Sequence, residues 1–318
     1  MQSVIFVSNP SEIGAGTRGS SLGFDAIRIA GWKHGNDLLK RYPINHIAHN
    51  NAALYEPDLN PFAHRIAAIT RSFKDTAKVL DPIFAAGQFP VLIGGDHSVA
   101  AGTISAVRKT FPYKRLGVVW MDAHADMHTP YTTPSGNFHG MPLAIALGID
   151  NLECRKNNPV PQTISEWNAV KELWGICPKV NPEDLVFFGV RSTEEEEDEI
   201  MARYGMPNIT VDDFRANGLQ WSIDQACSRL AACDIVYISF DVDSMDPAHS
   251  SNGTGTPVDN GFTPEESKQI ITQLFKRLNV VCFEMVEINP TLDERGNAMA
   301  ETAHGILEHV VDCIEHRP

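Results

Sequence analysis

The chain has 318 residues, with 26 Lys and Arg against 40 Asp and Glu, and a formal charge of −14 with histidines neutral. That acidic excess argues against nucleic acid or an anionic membrane surface as a partner, since either would need a basic footprint. Hydrophobic residues at 43% and charged residues at 21% exclude the disordered class and allow a sizeable buried core.

The first ten residues lack a basic stretch and carry only a short apolar run, so they do not read as a signal peptide. No later segment approaches the ~20 apolar residues that span a bilayer. A soluble, cytoplasmic protein with no membrane partner is expected. The six cysteines, Cys154, Cys177, Cys227, Cys233, Cys282 and Cys313, form no CxxC pair, which suits reduced thiols. A Cys154–Cys177 disulfide stays open as an alternative.

In chain order, apolar runs at 3–7, 89–93, 116–121, 185–190, 235–240 and 280–286 are too continuous for half-exposed strands and too short for long helices. They suit strands buried on both faces. Helical spacing occupies 25–39, 64–84, 99–110, 194–204, 223–231, 264–278 and 298–314. The alternation predicts an α/β fold: a three-layer αβα sandwich with a mostly parallel, doubly wound sheet. The segment 150–182, with Pro159, Pro161, Pro178 and Pro182, reads as an irregular excursion holding a short helix around 164–174. Strand-ending motifs fall on both sides of it and no linker is visible, so a single domain over 1–318 is expected.

Five of these strands run directly into acids and histidines: Gly94-Gly95-Asp96-His97-Ser98, Asp122-Ala123-His124-Ala125-Asp126, Arg191-Ser192-Thr193-Glu194, Asp241-Val242-Asp243 and Glu287-Ile288-Asn289-Pro290. In an open parallel sheet, ligands bind outside the carboxyl ends of the strands, so five polar ends would line one cleft. Extended chain alternates its faces, which puts Asp122, His124 and Asp126 on one side and Asp241 with Asp243 on another. With His97 they make six candidate metal ligands.

Four carboxylates gathered this closely repel one another unless cations intervene. Two divalent ions balance four aspartates and two neutral histidines to zero. Hard oxygen donors without thiolates favour Mn²⁺, with Co²⁺, Ni²⁺, Zn²⁺ and Fe²⁺ as alternatives. Taken singly, the Gly-Gly-Asp-His-Ser stretch reads as a capped turn into a helix, and Asp-Val-Asp as a polar strand end. Their joint occurrence carries the metal reading.

These motifs, together with Ser135-Gly-Asn-Phe-His-Gly-Met-Pro142, Ser239-Phe-Asp-Val-Asp-Ser-Met-Asp-Pro-Ala248 and Gly253-Thr-Gly-Thr-Pro257, resemble the ureohydrolases, the dinuclear manganese enzymes that include arginases and agmatinases. The match runs from the Gly14–Gly23 stretch to 287–290 and so covers nearly the whole chain. The segment 129–142 resembles the arginase branch, through the Ser-Gly-Asn that helps hold an amino-acid end.

The resemblance implies an arginase-like fold and hydrolysis of a small guanidino substrate, most closely L-arginine to L-ornithine and urea. It implies that His97, Asp122, Asp126 and Asp241 bind one ion and Asp122, His124, Asp241 and Asp243 the other. Catalytic parts fall to Asp126, to His139 as proton shuttle and to Glu287 as the grip on the guanidinium. Ser135 and Asn137 match residues that recognise the α-carboxylate, Glu194 and Glu197 match acids facing the α-amino group, and Thr256 matches a threonine near the guanidinium. Two departures stand out. His128 occupies the place of a carboxylate-binding Asn, and Glu194 that of an Asp. A homo-oligomer, trimer or hexamer, is also implied.

Chemically, guanidinium is a resonance-stabilised cation and a poor electrophile. A hydroxide shared by two ions supplies the nucleophile, a charge-assisted contact to Glu287 orients the carbon over it, and His139 protonates the departing amine. The rival readings are an agmatinase or another guanidino-compound hydrolase, a dinuclear phosphoesterase, and a non-catalytic relative. The acidic run Glu194–Glu197 also suits a plain helix start, because the macrodipole favours acids in a first turn.

Overall fold

The structure, a computed structural model, describes residues 2–317. Met1, which opens the N-terminal stretch read above, and Pro318, the end of the expected domain span, lie outside the described residues. The strands are β1 (Val4–Asn9), β2 (Ile44–His46), β3 (Phe89–Gly94), β4 (Leu116–Met121), β5 (Leu185–Phe188), β6 (Asn208–Ile209), β7 (Ile235–Asp241) and β8 (Val280–Val286). They form one sheet in the order β2-β1-β3-β8-β7-β4-β5-β6, and every strand pairing is parallel. After β3 the chain skips two places before laying down β4, and β7 and β8 fill them later.

The helices are α1 (Gly23–Lys33), α2 (Leu38–Arg41), α3 (Ile66–Ala85), α4 (Val99–Thr110), α5 (Pro142–Leu147), α6 (Pro161–Lys171), α7 (Glu195–Tyr204), α8 (Val211–Arg229), α9 (Pro264–Arg277) and α10 (Ala298–Glu315). Successive strand side chains go to opposite faces, and the core divides accordingly. Val236, Ile238 and Phe240 of β7 pack with residues of α1, α8, α9 and α10. Ile235 and Tyr237 pack on the other face with residues of α3, α4 and α5. The expected three-layer αβα arrangement is therefore present. Among the described residues, no helix is long and apolar enough to cross a membrane, and all six cysteines are free thiols, including Cys154 and Cys177.

Several boundaries differ from the sequence reading. The single helix expected over 25–39 stops at Lys33, because Gly35 turns the chain at φ 66° before α2 begins. The helix expected at 223–231 begins at Val211, with Gly218 at φ 85° and ψ 167° breaking the regular spiral inside it. The strand expected to reach 190 ends at Phe188, where Gly189 turns away at φ 87°. The short strands β2 and β6 were not anticipated, nor was α5, whose six residues are all buried.

Candidate metal centre and substrate cavity

The four adjacent strands β3, β8, β7 and β4 end beside one another, and each delivers a polar group at its carboxyl end. Backbone geometry does much of the aiming. Gly95 follows β3 in a gap that no side chain fits, since a Cβ there would sit 2.1 Å from the Ser11 carbonyl oxygen. Asp126 and Glu287 both adopt left-handed backbone, with φ of 51° and 67°. Such conformations cost a non-glycine residue about 1 kcal/mol or more and concentrate at functional sites.

The candidate ligands converge. His97 Nδ1 lies 2.9 Å from Asp122 Oδ2, 3.1 Å from Asp126 Oδ2 and 3.1 Å from Asp241 Oδ2. His124 Nδ1 lies 3.4 Å from Asp122 Oδ1 and 3.1 Å from Asp243 Oδ2. Among the described residues three groups able to hold a cation emerge: His97/Asp122/Asp126 and Asp122/His124/Asp243, which share Asp122, and His128/Glu194/Glu197. Strand alternation alone does not set their placement. Beyond β4 the chain is not extended: the His124 N–H turns back to Asp122 Oδ1 at 2.7 Å. Asp243 sits in a 3₁₀ turn whose N–H bonds Asp241 Oδ1 at 2.8 Å.

The electrostatics show the strain of gathering these charges. Burial and then the Asp122 charge raise Asp126 to about 6. Burial and then Asp243 push Asp241 well above the carboxylate range. Burial disfavours charge on both imidazoles, yet surrounding carboxylates lift His97 well above its ordinary value and His124 to about 12. Without cations the cluster resolves its repulsion by holding protons. Moreover, His97 Nδ1 and Asp122 Oδ2 are buried, 2.9 Å apart, and each lacks a hydrogen-bond partner of acceptable geometry. Two orphaned polar atoms aimed at one point, within a set of hard oxygen and imidazole donors, fit a divalent cation.

A cavity of about 210 Å³ opens beside the cluster and takes residues from all five strand ends. His139 Nδ1 faces Glu287 Oε1 at 3.7 Å. Burial works against its charge, but Glu287, Asp126 and Asp96 raise it to about 9. Thr256 also lines the cavity, and its hydroxyl donates to Asp243 Oδ2 at 3.1 Å. Ser135 and Asn137 sit on a loop tightened at Gly136, whose φ is 78° and whose Cβ position lies 2.1 Å from the Pro61 carbonyl oxygen.

The two glutamates meet the cavity differently from a free acidic pair. Glu194 caps α7 and Glu197 closes a reciprocal capping box, accepting from the Glu194 N–H at 3.2 Å. Glu197 is buried and also accepts from the Met127 N–H at 3.0 Å. Glu194 Oε2 lies 3.0 Å from His128 Nε2, and His128 Nδ1 lies 3.2 Å from Thr132 Oγ1. Backbone donors and His128 thus occupy both acids, which accounts for this cluster without a third ion.

Several residues that the sequence reading passed over support the site. Asp96, taken there only as a turn or cap residue, is fully buried and joins two loops. It accepts from the Gly14 N–H and the Ser98 N–H, each at 2.8 Å. Burial and then Glu287 raise it to about 6. Trp120 stacks on the His97 ring at 4.1 Å between centroids, and Ser239 Oγ meets His97 Nε2 at 2.7 Å. Arg191 donates to the carbonyls of Asp243 and Asp259, both at 2.9 Å, and to that of Val258 at 2.6 Å. It thereby pins the loop carrying Thr256. An arginine at a strand end was visible in sequence, but its carbonyl partners were not.

Residues 2–312 match the family model described as Arginase family. The arginase of Bacillus caldovelox is 32% identical over 311 residues, covering 96% of this chain and 97% of that one. Its native structure at pH 5.6 superposes with a TM-score of 0.83 at 32% identity, over 98% of both chains. The Entamoeba histolytica arginase in complex with L-ornithine gives a TM-score of 0.81 at 25% identity, over 98% of this chain and 99% of that one. The chain belongs to the arginase family, metal-dependent ureohydrolases that act on guanidino C–N bonds.

Proposed function

We propose that the chain acts as one ureohydrolase domain, an arginase that hydrolyses L-arginine to L-ornithine and urea with two Mn²⁺ ions. The observation that carries this reading is the convergence of two cation-fitting groups on Asp122, beside a cavity that also holds His139 and Glu287. His97, Asp122, Asp126 and Asp241 would hold one ion, and Asp122, His124, Asp241 and Asp243 the other. Bound there, the ions neutralise the carboxylates and acidify water.

The remaining steps belong to side chains. One Glu287 oxygen is fixed by the His97 N–H, which leaves its partner oxygen to pair with the guanidinium and orient its carbon. Water adds to that carbon, the bond to the alkyl nitrogen breaks, and the amine departs with a proton. His139, whose protonated form Glu287 beside it favours, is the donor. At the cavity mouth, Ser135 and Asn137 would read the α-carboxylate, with Thr256 near the guanidinium. A cytoplasmic homo-oligomer, trimer or hexamer, completes the proposal.

One observation favours a second reading. Because His128 contacts Glu194, one of the two acids assigned to the α-ammonium is already paired, which suits a guanidino compound without an α-amino group. A Mn²⁺-activated assay of urea release from L-arginine, agmatine, guanidino acids and guanidine tests both. Preference for arginine supports the first reading, preference for an amine-free guanidine the second, and no urea from any of them overturns both.

A further inference from the structure

Beneath the Asp/His cluster runs a seam of polar side chains closed off from solvent. Tyr237, Ser239, Glu284 and Thr103 are each 0% exposed. Tyr237 and Ser239 stand two residues apart on β7 and so share a face. Ser239 is in register with Glu284 on β8. Tyr237 Oη donates to Glu284 Oε2 at 2.6 Å, and Thr103 Oγ1 donates to Glu284 Oε1 at 2.9 Å. Among the described residues Glu284 has no salt-bridge partner, its side-chain bonds coming from Tyr237 and Thr103, yet burying such a carboxylate costs several kcal/mol against an apolar residue. Its retention in an otherwise apolar strand calls for a cause.

The seam has a direction. If His97 Nδ1 faces a cation, that nitrogen carries no proton, so Nε2 must carry it and donates to Ser239 Oγ. The Ser239 hydroxyl then needs an acceptor of its own. The polar groups beside it on this face are Tyr237, two residues back on β7, and Glu284, its register partner on β8. Tyr237 in turn donates to Glu284. Each donor is satisfied only when the chain ends on an acceptor, and Glu284 supplies it.

We propose that Tyr237 and Glu284 are positioning residues that act through Ser239 on His97, fixing the imidazole proton on Nε2 and so keeping Nδ1 free for a metal ion. The inference rests on the two-ion reading of the cluster. Outer partners of this kind change metal affinity or activity by about 10–100-fold when removed.

The test strips the full chain of metal and titrates it with Mn²⁺ against a chromophoric chelator, alongside thermal melts and steady-state kinetics. Tyr237→Phe removes the relay hydroxyl and keeps the ring. It should weaken one of two Mn²⁺ sites by about 10–100-fold and lower kcat with little change in KM. Glu284→Gln retains an oxygen that accepts from Tyr237 and should stay within about threefold of wild type. Phe283→Leu, on the opposite face of β8, should lower Tm and leave affinity alone. Wild-type affinity in Tyr237→Phe, or an equal affinity loss in Phe283→Leu at the same Tm, would overturn the inference while two ions still bind the wild type. A wild-type chain that binds no Mn²⁺ would sink the metal-centre reading, and this one with it.

Discussion

Glu287 accepts a hydrogen bond from the backbone N–H of His97 at 2.9 Å, across 190 residues of chain. This contact locks the carboxyl end of β8 to that of β3, and it spends one carboxylate oxygen on the scaffold. Glu287→Gln keeps an acceptor for that N–H and loses the charge opposite a guanidinium. A hydrogen bond to a charged group contributes about 1.5–3 kcal/mol, so kcat/KM for the guanidino substrate should fall about 10- to 150-fold with the fold intact. A drop below about threefold would remove Glu287 from substrate binding.

The left-handed backbone at Glu287 makes a separate prediction about stability. Glu287→Ala and Glu287→Gly both delete the carboxylate, but only glycine takes φ 67° without strain. The glycine variant should be the more stable by about 1 kcal/mol in urea melts. The reverse order would show that the conformation carries no strain.

His139→Asn retains a polar side chain in the cavity and cannot exchange a proton near neutral pH. Turnover should fall about 10²–10⁴-fold, while metal content measured on the purified protein stays at wild-type level. Unchanged turnover would take His139 out of proton transfer.

The His128–Glu194 pair predicts a change in selectivity. His128→Asn restores the residue that the arginase pattern carries and releases Glu194 from its 3.0 Å contact. The ratio of kcat/KM for L-arginine to that for the guanidino acid that lacks its α-amino group should rise about tenfold, the effect of roughly 1.4 kcal/mol at one charged contact. An unaltered ratio would show that this pair does not read the substrate's amino-acid end.

Burial raises Glu284 from 4.5 to about 7. A carboxyl whose folded value is raised stabilises the fold fully below 4.5 and loses that contribution as pH climbs through 7. Glu284→Gln has no such dependence. In metal-free protein the variant should therefore gain on wild type by up to about 3 kcal/mol between pH 5 and pH 8. A stability difference flat across that range would mean that Glu284 does not titrate there.

The sequence made the chemistry of the site more legible than its construction. His97, Asp122, His124, Asp126, Asp241 and Asp243 announce themselves because acids and imidazoles directly after apolar runs are costly without a task. The turns that bring them together, such as the left-handed Asp126, leave no periodic trace. Strands β2 and β6 span three and two residues, too short for an apolar run to show. Helix α5 hides because all six of its residues are buried, so no polar face marks its period. Glu284 read as one letter in an apolar strand, and Tyr237, its partner 47 residues away, could be paired with it only through the register of β7 against β8.

The order of the sheet has a further consequence. β3 and β4 stand three strand spacings apart, about 14 Å, and the strands between them come from the final third of the chain. Until β7 and β8 slot in, the loops carrying His97 and Asp122 have no floor beneath them, and the groups that meet at 2.9 Å cannot be held in place. A ribosome-bound or truncated chain ending before residue 235 would thus expose a split, incomplete nest of charges with little grip on a cation. Cation binding at this cluster would therefore depend on the whole sheet having closed.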